Sequence, residues 1–170
     1  MPQSSQLNYI WSGASVMLGL MLQILPMSAT MAHWRPQFLL LIVFYWLFRS
    51  PFQYGITFAW LAGLLLDGFV GELLGRHAIV FALCAYLLRL LQQRLHHFGV
   101  FHQALLVLFM VLLSQLLLHS ITLLFRAGWD GGLLVAPAIT SAMVWPLLVW
   151  LINRLLRIQQ LGSRAFSSDN

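Results

Sequence analysis

Lysine is absent from this chain and acid is scarce: all nine basic residues are arginine, and Asp and Glu together number four. Charged residues make up 8% of the 170, against roughly 25% in a soluble domain. That excludes a solvated globular surface. Cysteine occurs once, as Cys84 inside an apolar run, which rules out an intramolecular disulfide and reads as a small packed hydrophobe. There is no nucleophile elbow, no phosphate-binding Walker loop, no pair of acids at catalytic spacing and no metal quartet. Catalysis is therefore not expected, nor a cofactor or a structural metal. A pI near 10.4 is also common among nucleic-acid binders, but the arginines stand singly between apolar runs and form no patch.

What is present is apolar length. Hydrophobic residues make up 61% of the chain and its mean hydropathy is +0.85. The natural solvent of such a chain is a bilayer. The expectation is an all-α integral membrane protein built as a six-transmembrane-helix bundle. A single membrane domain over 1–158 has spans at about 9–26, 36–48, 55–70, 77–91, 101–125 and 133–153. The polar remainder, 159–170, is expected to be a disordered cytoplasmic tail. The first run has no basic segment before it and no clear small-residue cleavage site, so it reads as an uncleaved span. Pro26, Pro36 and Pro51 fall at segment ends, where proline is tolerated. The second segment, PQFLLLIVFYWLF, is short for a span that needs about 20 residues. It either borrows Trp34, Arg35 and a snorkelling Arg49, or it is a re-entrant or strongly thinned region.

Arginine distribution orients the chain. Arg49, Arg89, Arg94, Arg154, Arg157 and Arg164 fall on one side; Arg35, Arg76 and Arg126, with Glu72 and Asp130, fall on the other. By the positive-inside rule the first side is cytoplasmic, so both termini are expected there, in a multi-pass protein of the cell inner membrane.

Every fourth residue from 55 to 75 is small, except for one acid: Gly55, Ala59, Gly63, Asp67, Gly71, Gly75. Residues four apart share a helix face, and a small face lets another backbone approach closely. Four residues make about 400°, so the row drifts by about 40° per step. It divides into a helix-packing interface (Gly55, Ala59, Gly63), a polar latch (Asp67) and an exit turn (Gly71, Gly75). Gln115, His119 and Thr122 lie on one face of the fifth segment, with His119 near the depth of Asp67. Together these four form a candidate polar seam. An interhelical hydrogen-bond seam is favoured over a proton relay or substrate site, because the inner half of the spans offers no ionisable chain.

Other signals are weaker. Glu72 and Arg76 are four apart, a favourable helix pair or two residues of a solvated loop. His96, His97 and His102 do not match a zinc spacing and suit a loop that meets partners or headgroups. Pro146, inside the last segment, frees a backbone carbonyl, which Thr140 and Ser141, a turn or so earlier, are placed to satisfy.

Three stretches carry a resemblance. HWRPQFLLLIVFYW, with Trp34, Arg35 and Pro36, resembles the second-span region of the rod shape-determining protein MreD family. LAGLLLDGFVGELLGRHAIVFALCAYLL, with Gly63, Asp67, Gly71, Leu74 and Gly75, follows the pattern of that family, and VWPLLVWLINRLLR, with Trp145 and Pro146, resembles its last span and basic tail. The resemblance covers roughly residues 20–158. It implies a non-enzymatic inner-membrane scaffold of the bacterial cell-elongation complex. The scaffold would bind MreC and, through it, the MreB filament, the glycosyltransferase RodA and a class B penicillin-binding protein, supporting lateral peptidoglycan synthesis. It also implies a fold similar to the substrate-binding subunits of energy-coupling-factor transporters. The alternative is a small-molecule-binding or transport subunit using the outer cluster around Asp67 and His119. A third is a lipid-binding regulator whose short spans thin the bilayer.

Overall fold

A computed structural model describes residues 3–26, 28, 34–71, 74–94, 99–125 and 135–168. Within them are six helices and no strand: α1 Gln3–Ile24, α2 Phe38–Arg49, α3 Ile56–Val70, α4 Arg76–Arg94, α5 Val100–Phe125 and α6 Ala136–Ser168. Phe101–Leu124 and Ala136–Arg157 are long and apolar enough to cross a membrane; Tyr9–Ile24, Phe38–Arg49 and Ile56–Val70 are shorter apolar helices. Prolines bound the elements as their missing N–H requires: Pro36 precedes α2, Pro51 follows it, and Pro137 sits in the first turn of α6.

α2 is the axis of the bundle. Leu39 through Leu47 are all buried, and each of the other five helices packs against α2. A run that is apolar on every side has no polar face to offer water and belongs in a core. Its twelve residues rise only about 18 Å. Enclosed by protein, the helix does not have to match the thickness of lipid.

The chain passes back and forth along this axis. At one end, Trp46 Nε1 donates to Ser15 Oγ at 2.8 Å, and Tyr45 OH and Arg49 Nη1 donate to Asn153 Oδ1 at 2.8 and 3.2 Å. Tyr54 packs there against Tyr9, Trp46 and Phe58, with ring centroids 6.2, 5.1 and 4.9 Å away. At the other end, Arg35 Nη2 donates to the Leu22 carbonyl and the Gln37 N–H donates to Ser141 Oγ at 3.1 Å. Arg49, Arg89, Arg154 and Arg157 belong to the first end, Arg35 and Asp67 to the second.

Two helices run beyond the apolar segments read from the sequence: α1 begins at Gln3, ahead of the segment at about 9–26, and α6 continues to Ser168, through residues 159–168. The polar residues there include Gln and Arg, good helix formers that propagate a helix already nucleated in apolar sequence. Glu72, His96, His97, Arg126, Trp129 and Asp130 lie outside the described residues, as do the side chains of Arg94 and Arg164.

Because Phe44 is fully buried in α2 and Phe52 is 98% exposed, Phe44→Ala is expected to cost about 3–5 kcal/mol through the cavity it leaves. Phe52→Ala should cost almost nothing. Thermal unfolding of the purified protein in detergent checks this; equal midpoints for the two variants would remove α2 from the centre of the fold.

Candidate functional site

Asp67 ends the sequence LAGLLLD on α3, and its side chain is 0% exposed. A buried carboxylate needs donors, and the start of α4 supplies them. Oδ2 accepts the N–H groups of Gly75 and Ala78 at 2.9 and 3.2 Å, Oδ1 accepts the N–H of His77 at 3.0 Å, and His77 Nδ1 lies 2.7 Å from Oδ1. Against an ionised carboxylate that ring nitrogen must carry the proton. The first N–H groups of any helix lack partners within it and carry partial positive charge. Asp67 therefore caps α4 from the preceding helix. Its own carbonyl meanwhile accepts the Gly71 N–H at 3.1 Å, closing α3. One residue thus ends one helix with its backbone and starts the next with its side chain.

The glycines make that geometry reachable. Gly71 has φ 69° and Gly75 φ 96°, left-handed values that residues with a Cβ rarely adopt. Gly63 stands where α3 meets the start of α4: a Cβ there would lie 2.6 Å from Ala78 Cα and from the His77 carbonyl oxygen. Both are backbone atoms that cannot step aside. Ala59 is fully buried one turn earlier, and α3 packs most extensively against α4. The face of Gly55, Ala59 and Gly63 is accordingly used inside the chain at Ala59 and Gly63. At Gly55, the φ of −119° is open to any residue, and a Cβ would find only Arg89 Nη1, at 3.9 Å.

The structure does not bring Asp67 together with Gln115, His119 and Thr122. Among the described residues α3 and α5 make no contact, and Thr122 Oγ1 donates to the Leu118 carbonyl of its own helix at 2.8 Å. Gln115 and His119 are half-buried on α5. Similar depth did not mean adjacency, because α4 lies between the two helices. The two hydroxyls expected to relieve Pro146 are engaged elsewhere. Thr140 Oγ1 donates to the carbonyls of Ala136 and Pro137, Ser141 Oγ receives the Gln37 N–H, and Pro146 itself faces outward.

Sequence reasoning missed a second polar node. Ser114 Oγ on α5 donates to Gln37 Oε1 at 3.0 Å, and with Ser141 this ties α5 and α6 to the entrance of α2. All three residues are buried. The available signal was a Gln heading an otherwise apolar run, and a Ser beside the more conspicuous Gln115. Trp34 is exposed, Pro36 half-buried or better, and Trp145 fully buried against Phe48, with ring centroids 5.6 Å apart.

Comparison with known proteins bears on this arrangement directly. The family model for rod shape-determining protein MreD matches residues 4–157, nearly all of the bundle. The chain belongs to the MreD family. A rod shape-determining protein MreD from Haemophilus influenzae is 24% identical over 140 residues, covering 82% of this chain and 86% of the relative. No solved structure matches. The match takes in the Asp67 latch of this MreD-family chain, both left-handed glycines and the Gln37 node.

Both carboxylate oxygens of Asp67 accept, so an amide in its place turns an NH2 toward backbone donors. Asp67→Asn is expected to lower stability by about 1–2 kcal/mol and Asp67→Leu by more. Gly63→Leu should disrupt the α3–α4 pair, whereas Gly68→Ala, with nothing within 4 Å of its added Cβ, should be tolerated. Thermal unfolding of the four variants decides; Asp67→Asn melting with the parent would refute the cap.

Proposed function

We propose that this chain is a non-enzymatic scaffold of the cell inner membrane. All six helices span, and both termini are cytoplasmic. Its task is to hold MreC within the complex that determines rod shape and sustains lateral peptidoglycan synthesis. MreB, RodA and a class B penicillin-binding protein would join through that complex. Membership of the MreD family carries this reading. Orientation is supported by the gathering of Arg49, Arg89, Arg154 and Arg157 at one end of the bundle, as the positive-inside rule expects of the cytoplasmic side. The proposed fold remains similar to that of energy-coupling-factor substrate-binding subunits, a six-helix bundle put here to scaffolding.

The burial of Ala59 and Gly63 changes where MreC would bind. A partner helix cannot use a face already filled by α4. The remaining candidates are outward faces such as Trp60, Leu61, Leu65 and Phe69 of α3, or Tyr9, Ile10, Met17 and Met21 of α1, all exposed. In lipid such an interface draws on packing and a few hydrogen bonds rather than on apolar burial.

Site-directed photocrosslinking in intact membranes tests both parts. Probes at outward positions of α1 or α3 are expected to capture MreC, while probes at Ala59 and Leu66 should capture α4 of the same chain. Depletion should round the cells. Normal width and lateral growth after depletion would overturn the scaffold reading; MreC captured from Ala59 would restore the small face as its docking surface.

A further inference from the structure

The outer surface of α4 pairs an apolar stripe with a charge that no described residue neutralises. Ile79, Leu83, Tyr86 and Leu90 are exposed at 62, 41, 48 and 42%, and their spacings of four, three and four place them on one helical face. From Ile79 to Leu90 the helix rises about 16 Å, close to one leaflet of a hydrocarbon core about 30 Å thick. Arg89 stands at the end of this stripe and is itself exposed. It borders a shallow surface crease lined also by Tyr54, Gly55 and Gln92.

The arginines at this end differ in what they meet. Arg49 donates to Asn153, and Arg154 lies 5.1 Å from the centre of the Trp150 ring. Arg89 has no hydrogen-bond or ion-pair partner among the described residues. The one described carboxylate side chain, Asp67, is at the opposite end of the bundle. A cation left in this state at headgroup depth calls for an anion from outside the chain.

We propose that the α4 stripe and Arg89 together seat one anionic phospholipid. Its phosphate is bound by the Arg89 guanidinium at the crease beside Gly55, and its acyl chains lie along Leu90, Tyr86, Leu83 and Ile79. The arginine fork matches phosphate oxygens in pairs, and the stripe length fits one leaflet. The site places a fixed lipid on the face of the α3–α4 pair nearest the α2–α3 turn. It requires that this end of the bundle lie at headgroup level, but not that MreC bind.

The test uses the full-length protein in nanodiscs of equal phosphatidylglycerol and phosphatidylcholine, released into the gas phase for native mass spectrometry. The parent is expected to retain phosphatidylglycerol in preference to phosphatidylcholine. Arg89→Gln should cut that preference about fivefold, Arg89→Lys should keep most of it, and Arg154→Gln should keep it fully. Unchanged preference in Arg89→Gln would overturn the site. Equal losses in Arg89→Gln and Arg154→Gln would also overturn it, by showing a diffuse basic surface in place of a seat.

Discussion

The enclosure of α2 governs the rest of this bundle. A twelve-residue apolar helix rises about 18 Å, less than a hydrocarbon core about 30 Å thick, and enclosed in protein it need not match that thickness, provided that other elements satisfy both ends. Gln37 at one end and Tyr45, Trp46 and Arg49 at the other supply polar groups, and α1, α5 and α6 receive them. Since lipid is as apolar as leucine, burying leucine on leucine contributes little by itself in a membrane. Cohesion has to come from close packing and from these bonds. The ring cluster of Tyr9, Tyr54, Trp46 and Phe58 adds further packing at one end.

The α3–α4 hairpin solves a related problem. A helix starting within or near the membrane leaves N–H groups without water to receive them. Asp67 brings its charge to them, and the cost of burying that charge is offset because three backbone donors and an imidazole surround it. The small residues of α3 then acquire a definite purpose. At Gly63 they let the backbone of α4 come close enough for Asp67 to reach it. What resembled a surface prepared for another protein is the means by which two helices of one chain become a single rigid piece.

Much of this was legible before any coordinates. That the described residues form helices, and that glycines stand at 71 and 75 where φ turns positive, follows from composition and spacing. Partnership was not legible. In a soluble protein an apolar stripe marks the core, but here core and lipid are both apolar, so hydropathy does not say that Leu39–Leu47 face inward while Leu61 and Leu65 face out. Asp67 illustrates the same limit. Depth pointed across the bundle to His119, whereas its donors lie eight to eleven residues downstream, and only the turn through two left-handed glycines brings them back. Ser114 carries no spacing signal that sets it apart from its neighbour Gln115, yet its small hydroxyl meets the buried amide of Gln37.

These constraints bear on what a scaffold of this kind can offer a partner. Its polar groups are largely spent on itself: Asp67 on α4, Gln37 on Ser114 and Ser141, Asn153 on Tyr45 and Arg49. A single-span partner meeting its flank would find chiefly apolar side chains, a surface also suited to lipid. Selectivity then has to come from shape along the membrane normal and from charge at the ends, as where Arg49, Arg89, Arg154 and Arg157 gather. A rigid hairpin is well suited to that task, because shape can discriminate among apolar helices only if it does not yield. The internal latch and the external contact are in this sense one design. Fixing α3 to α4 with Asp67 holds the outward residues of both helices in a constant pattern, and that pattern is what another membrane helix or a bound lipid can recognise.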